Sequence, residues 1–363
     1  MDWDSLFFST AALIAGVFVL DYGADKFIDH TVIVGQRLGI SPTLIALLTA
    51  GAEYEELAVV IAAILQGRTP LALGNVMGSA ISNILGAFSL GLVCYPGGDP
   101  FDSSAKIYSA LQFFVTTLVV ILAYFQQLNR VTGGLLIALF ALYIISIGYA
   151  IYRGISEPPQ LSDSESDDES TDVCAEQTPV QSAGPPALET SPLLGDTNRE
   201  TASASVNKGK KLPRPLYHHV LQLIFGLLTL SLSGYILAHS AGTIADCLHL
   251  SGTVFGLTVI AFATTLPEKL IAMLSGFRGQ GGIIVATTAG SNIFLLTLCV
   301  GIVAVAGSLD RSDTFVLFDL VTVWVSSVSL LAVVFLGPHR IAGLVLLAAY
   351  VIFLVMEFTV YRR

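Results

Sequence analysis

Two stretches of this chain place acids inside otherwise apolar runs, and the two are related by a fixed offset. Thr43 to Gly86 reads TLIALLTAGAEYEELAVVIAAILQGRTPLALGNVMGSAISNILG and carries Glu53, Glu55 and Glu56. Gly256 to Leu298 reads GLTVIAFATTLPEKLIAMLSGFRGQGGIIVATTAGSNIFLLTL and carries Glu268. Shifted by 212 residues without a gap, Glu56 falls on Glu268, Gly67 on Gly279, Gly78 on Gly290, Ser79 on Ser291 and Ile81 on Ile293. Generic hydrophobicity does not supply matched acids and small residues. An internal repeat therefore sets the architecture. A soluble helix would turn such acids to a wet face, but the flanks here are apolar all round. Ionisable groups at membrane depth are costly and as a rule face a cavity or an ion path.

The rest of the chain supports a membrane setting. Only 12% of its residues are charged, against about 25% in average soluble chains. A spanning helix takes about 20 apolar residues. Ten stretches qualify: 5–34, 42–66, 71–95, 105–125, 131–152, 216–245, 252–277, 281–306, 314–336 and 340–361. Met1 to Tyr22 lacks a basic start, and its apolar run continues toward Arg37, so it reads as a first span and not as a secretory leader. The spans split five and five. An odd number per half inserts the second half upside down relative to the first. The expected fold is an all-α membrane protein of ten transmembrane helices in two inverted five-helix repeats, residues 1–153 and 216–363.

Residues 154–215 join the halves. The net charge of -10 is a property of this loop, because residues 157–200 alone hold 11 acids and one base. Rich in Ser, Pro and acids, the loop cannot bury enough apolar surface to offset the entropy of ordering, and disorder is expected. Ser162, Ser164 and Ser166 sit beside acids and are phosphorylation candidates, although a plain solvated tether accounts for them as well. Glu189 followed by Leu193 and Leu194 matches an acidic-dileucine sorting signal for adaptor proteins. It points to an endolysosomal or vacuolar membrane, with the plasma membrane as the alternative. The Lys and Arg count puts ten on the side of this loop and five on the other, which places the loop in the cytosol by the positive-inside rule.

The four cysteines show no metal or redox spacing, and Cys94, Cys247 and Cys299 read as small core residues. Asp21, Asp25 and Lys26 late in the first span read as an interfacial or intrahelical ion pair. Asp319 has no evident role.

Positions three and four apart share a helix face. Glu53 and Glu56 then point the same way, with Glu55 about 100° off. Asn75, Ser79 and Asn83 form one stripe on the following span. In the second copy Thr264, Thr265 and Glu268 share a face, with Ser291 and Asn292 on the matching span. Carboxylate, hydroxyl and amide oxygens near mid-membrane suit a hard cation, since Ca²⁺ takes about 6–8 oxygens and Na⁺ accepts similar ligands. Neither Cys nor His lies near, which argues against a soft metal. Gly51, Gly78 and Gly290 permit close helix approach. Pro267 breaks its helix just before Glu268 and frees backbone carbonyls as further ligands.

The two stretches resemble the paired alpha repeats of the calcium/cation antiporter superfamily, which includes the sodium/calcium exchangers. That family carries G-T-S-x-P-E on its second and seventh spans and G-S-N-I-x-N, or a near variant, on its third and eighth. Here stand Ala263-Thr264-Thr265-Leu266-Pro267-Glu268 and Gly290-Ser291-Asn292-Ile293, and in the first copy Gly51-Ala52-Glu53-Tyr54-Glu55-Glu56 and Gly78-Ser79-Ala80-Ile81-Ser82-Asn83. Ala72-Leu73-Gly74-Asn75 matches the family's A-L-G-N. The resemblance implies that Glu56 and Glu268 form the central metal site and that neighbouring Ser, Thr and Asn bind the counter-ion.

Departures from the pattern bear on that counter-ion. Glu53 stands in place of Ser or Thr, Glu55 in place of Pro, Ala80 in place of the first Asn, Leu295 in place of Asn or Asp, and Lys269 in place of an apolar residue. Ser79-Ala80-Ile81-Ser82-Asn83 also resembles the G-S-x-x-S-N motif of the proton/calcium branch. Four crowded acids exceed the charge of one Ca²⁺, so Glu53 is the expected proton-coupling residue and Glu55 a second candidate. Alternatively, Lys269 offsets Glu55.

The expected function is secondary-active antiport of Ca²⁺, or a similar divalent cation, against Na⁺ or H⁺ by alternating access. A passive cation channel or a transport-deficient sensor on the same fold is the alternative. An intramembrane enzyme would need a nucleophile or activated water near Glu56, and no His, Cys or Asp in either repeat supplies a partner. The expected partners are the lipid bilayer and metal cations. Neither a resident cofactor nor a nucleic-acid partner is expected.

Overall fold

The computed structural model describes residues 3–38, 53–96, 101–152, 215–306 and 317–360. The loop expected over 154–215, with its serines and the Glu189, Leu193 and Leu194 motif, lies outside the described residues except for Pro215, and so does Gly51. Among the described residues all regular structure is helical. In chain order the helices are α1 (Trp3–Arg37), α2 (Tyr54–Leu65), α3 (Thr69–Cys94), α4 (Ser103–Tyr124), α5 (Arg130–Tyr152), α6 (Leu216–Leu248), α7 (Gly252–Thr264), α8 (Leu266–Phe277), α9 (Gly281–Ala306), α10 (Leu317–Leu336) and α11 (Arg340–Thr359). Eight of these are long and apolar enough to cross a membrane, and α7 and α8, bent by 48° at their junction, make a ninth when taken as one span. The expected span over 42–66 is described only from Glu53 onward.

The 212-residue offset governs the helix ends as well as the motifs. It carries Tyr54–Leu65 onto Leu266–Phe277 and Thr69–Cys94 onto Gly281–Ala306. The turns between them repeat too. Gly67 and Gly279 hold φ of +70° and +71°, a left-handed conformation that glycine adopts without steric cost. Each lets the chain reverse from α2 into α3 and from α8 into α9.

The two acid-following helices form the centre. The apolar windows of α3 and α9 are 89% and 72% buried, against 11% for α5. A helix enclosed on all sides can carry polar groups only if neighbouring helices satisfy them or a cavity does. α3 lies against α7 on one face and against α8 on another, while α4 flanks α9. α10 pairs with α4, and a side-chain bond joins them: Ser327 Oγ donates to Gln112 Oε1 at 3.0 Å, while Gln112 Nε2 is held within α4 by donating to Thr116 Oγ1 at 2.9 Å. Such interhelical hydrogen bonds hold helices together where lipid gives no hydrophobic drive between them. The two longest helices, α1 and α6, pack on each other. Their contact is close because Gly23 meets the backbone of Leu230 and Gly226 the backbone of Phe27. α6 is also tied to the α2–α3 turn by the Arg68–Asp246 ion pair at 2.9 Å and by Gln66 Nε2 donating to the Tyr235 carbonyl at 3.0 Å.

Large apolar side chains face outward along the peripheral helices, among them Phe18, Leu135, Leu142, Ile145, Leu344 and Val351. Exposed apolar surface of that extent belongs against lipid. Two expectations change. Lys26 lies over the Tyr22 ring at 5.7 Å and forms no ion pair with Asp21 or Asp25. Cys299 is buried, but Cys94 and Cys247 are only partly so.

Candidate functional site

The chain breaks regular structure at equivalent places in the two halves. Glu53 precedes α2 with φ -88° and ψ 81°, and Thr265 separates α7 from α8 with φ -88° and ψ 16°. Glu53 is thus outside the helix that carries Glu56, contrary to the expected shared helical face. Pro267 lies in the first turn of α8, where its missing N–H costs nothing, so the helix breaks two residues ahead of it. Glu55 and Glu56 occupy the first turn of α2, and Glu268 the first turn of α8. Helix N-termini carry partial positive charge that favours carboxylates.

α3 and α9 bring oxygens to these breaks. Asn75, Ser79 and Asn83 are all buried on α3, and Ser291 and Asn292 on α9. Glu53 Oε1 accepts from Asn83 Nδ2 at 3.0 Å. The same Nδ2 donates to Asn292 Oδ1 at 3.3 Å, and Asn292 Nδ2 donates to the Ala80 carbonyl at 3.1 Å. Ala80 therefore contributes its backbone where the family has an Asn side chain. Glu53 also neighbours Ser291, Glu56 and Glu268, and Glu56 neighbours Thr264. The Thr264 hydroxyl is 3.1 Å from the Ile260 carbonyl, its hydrogen-bond acceptor. Both α3 and α9 carry π-helical turns here, over Ser82–Phe88 and Leu295–Cys299, a distortion frequent at functional sites.

At the starts of α2 and α8 and on α3, seven buried oxygens have no hydrogen-bond partner: Glu53 Oε2, Glu56 Oε1 and Oε2, Asn75 Oδ1, Ser79 Oγ, Asn83 Oδ1 and Glu268 Oε2. Buried polar atoms are nearly always paired. Such a concentration of orphaned acceptors, three of them on carboxylates that α2 and α8 bring near one another, is chemistry for a cation. Among the described residues no three His, Cys, Asp or Glu side chains converge as a metal cluster by themselves, and a cation held here would need amide and hydroxyl oxygens as well. Glu56 is fully enclosed. Glu268 is half-buried and lines a shallow cleft with Asn83, Ile271, Thr287, Thr288 and Ser291.

Some expected residues lie elsewhere. Glu55 is half-buried and neighbours Asp21 and Asp25 of α1 in addition to Glu56. Thr265 uses its hydroxyl on other partners, donating to the Ala261 carbonyl and contacting Ser82 and Lys269. Lys269 does not pair with Glu55. Its ammonium donates to the Thr265 carbonyl, which also accepts the Lys269 backbone N–H as the first hydrogen bond of α8. Leu295 fills with apolar surface the position that Asn83 holds in the first half, and it is buried.

The pattern of the sodium/calcium exchanger protein family matches residues 8–148 and 218–359, most of both halves and none of the loop between them. The chain belongs to that family. Among its relatives within the family, CaxA of Alkalimonas amylolytica is 27% identical over 94% of this chain and 96% of its own length. The sodium/calcium exchanger MaX1 of Methanosarcina acetivorans is 24% identical over 95% of this chain and 97% of its own. Two solved structures share the fold. That of native YfkE superposes with a TM-score of 0.64 at 16% identity, covering 98% of this chain and 92% of the other. The sodium-calcium exchanger NCX_Mj superposes with a TM-score of 0.55 at 18% identity, covering 98% and 99%. This exchanger-family chain is a multi-pass membrane transporter of cations and not an enzyme.

Proposed function

We propose that the chain exchanges Ca²⁺, or a similar divalent cation, for Na⁺ or H⁺ by alternating access. The observation that carries the reading is the set of unpartnered buried oxygens on Glu53, Glu56, Asn75, Ser79, Asn83 and Glu268. They are carboxylate, amide and hydroxyl oxygens, the donors that a hard cation such as calcium takes. Mixed donors with two or three carboxylates give the ion its charge balance. The missing oxygen at Leu295 favours fewer ions per cycle than a fully symmetric donor set would hold.

The ten-span topology belongs to the same reading. Residues 42–66 complete the first repeat, and the second is inserted upside down. Glu56 then closes the site from one side and Glu268 from the other, and the cleft beside Glu268 is the open route in this conformation. α1 and α6, which contact each other most extensively, slide as a pair across the core. The loop of residues 154–215 is cytosolic, and its acidic-dileucine motif directs the protein to endolysosomal or vacuolar membranes.

Calcium flux into proteoliposomes, driven separately by sodium and by proton gradients, tests the function. One of the two gradients drives uptake, and unlabelled calcium on the far side accelerates it. Flux without such trans-stimulation would identify a channel. No flux under any gradient, with calcium still binding to the protein, would identify a sensor.

Glu53 is the proposed carrier of the coupling proton. It meets Asn83 through one carboxylate oxygen and keeps the other free for a proton or an ion. Glu53→Gln keeps the side chain's size and removes its titration. Calcium uptake by this variant is expected to lose most of its dependence on pH. An unchanged pH profile would take the coupling role away from Glu53.

A further inference from the structure

The second-repeat side of the site holds a cation that the chain itself supplies. Lys269 is only 6% exposed. Its Nζ donates to Ser82 Oγ at 2.8 Å and to the Thr265 carbonyl at 3.1 Å, and it contacts Thr265 Oγ1. Ser82 Oγ lies 2.9 Å from the Tyr350 hydroxyl. The ring of Phe262 stands 4.9 Å from the ammonium. Gly86 makes room for the stem, since a Cβ there would come within 3.1 Å of Lys269 Cε.

This pocket exists in one half only. At the 212-residue offset, Lys269 answers to Leu57, Ser82 to Phe294 and Gly86 to Leu298. Where Ser82 meets Tyr350 of α11, Phe294 packs edge-on against Phe140 of α5 with ring centroids 5.5 Å apart. One half therefore has a dry aromatic contact where the other has hydroxyls, a carbonyl and a glycine-lined channel for a lysine stem. Burying an ammonium is expensive unless oxygens replace its water. Here three groups do so at hydrogen-bond distance. A compact point charge among hydroxyl and carbonyl oxygens has the surroundings of a desolvated alkali cation.

The pocket is also part of the same site. Ser82 is next to Asn83, Thr265 next to Thr264, and Lys269 next to Glu268. Glu53, Glu56 and Glu268 bring three negative charges when ionised. One ammonium beside them leaves two, the charge of a single divalent cation.

We propose that the Lys269 ammonium is a tethered counter-ion, occupying an alkali-cation position formed by Ser82 and Thr265, with Tyr350 holding Ser82, and so balancing the site for one divalent cation. The inference rests on the transport reading given above and specifies which ions the site can still admit. With Lys269 in place, Na⁺ and K⁺ are excluded from that position. Without it, the oxygens remain and the site is one positive charge short.

The experiment uses the full chain with Lys269→Ala, which opens the pocket, and Lys269→Met, which keeps the apolar stem against Phe262 and Gly86. Thermal unfolding in detergent is measured in NaCl, KCl and choline chloride at equal strength, and divalent-cation uptake is measured in the same salts. Both variants are expected to gain stabilisation by several degrees in one alkali salt relative to choline. Their uptake is expected to rise about tenfold as that ion passes from a tenth of its Kd to ten times it. Both effects are read relative to the wild type in the same salts, which is expected to lack this added dependence whatever response its exchanged ion gives it. Variants that fold with the wild-type salt profile overturn the proposal, and so do variants that no salt can rescue, because a purely structural ammonium predicts both. Wild-type uptake is the control: if it moves no divalent cation the transport reading fails, whereas an alkali-insensitive pair of variants beside an active wild type sinks only the tethered counter-ion.

Discussion

Glu56→Gln is expected to abolish divalent-cation uptake, and Glu268→Gln to do the same, while both variants fold. The expectation follows from how these carboxylates are held. Neither oxygen of Glu56 has a protein partner, and Glu268 leaves one oxygen orphaned. A bound divalent ion would supply what the protein withholds. Removing one partner from a buried charge contact costs about 3–5 kcal/mol, which corresponds to about 100- to 4000-fold in affinity. The empty protein should respond in the opposite direction. An amide in place of a crowded, desolvated carboxylate removes repulsion from Glu53 and from the partner acid. Glu56→Gln should therefore unfold at a higher temperature than the wild type in chelator, and the order should reverse in saturating calcium. A structural role for Glu56 predicts destabilisation in both conditions. If calcium still stabilises Glu56→Gln as it does the wild type, Glu56 is not a ligand.

The repeat was legible because its residues are costly. An acid or a glycine inside an apolar helix needs a reason, and the recurrence of Glu56 as Glu268 and of Gly67 as Gly279 at one spacing is matched in the structure by helix ends and turns at the same offset. Tertiary contacts were not legible in the same way. Ser82 lies 187 residues from Lys269 and 268 from Tyr350, and no periodicity links positions that far apart. Nothing in the sequence distinguished Thr265, which bonds the lysine, from Thr264, which faces Glu56. Ala80 looked like a lost ligand because sequence shows side chains, whereas its contribution is a carbonyl accepting from Asn292. Glu53 looked like part of a helix because the apolar period runs through it. The break there has no proline to announce it. The one signal that could have exposed the lysine pocket was the pairing of Gly86 with Lys269: a small residue on a central span, with a long cationic side chain on the span that meets it.

Gly78→Val is expected to cost the protein its fold, and the loss should not depend on ions. A Cβ at Gly78 would collide with the Leu257 carbonyl and with the Ala261 methyl group, and one at Gly74 with the Thr253 carbonyl. These are backbone obstacles on α7, so no side-chain rotation relieves them. Overpacking a core costs typically about 1–3 kcal/mol, and a branched side chain wedged between two backbones belongs at or above the upper end of that range. Gly134→Ala is the matched control, because nothing lies within 4 Å of its added methyl and alanine is the better helix former by about 0.5–1 kcal/mol. Size-exclusion profiles and unfolding temperatures should separate the two variants widely, with calcium narrowing the gap little. The consequence reaches the site through geometry. Asn75, Ser79 and Asn83 occupy the same helix as Gly74 and Gly78, so the approach of α3 to α7 sets how far their oxygens stand from Glu56 and Thr264. Intermediate variants such as Gly78→Ala should therefore lose calcium affinity in step with stability. Full affinity in a stable Gly78→Val protein would mean that α3 and α7 need not touch for the ion to bind, and the oxygen cage drawn from their contact would have to be abandoned.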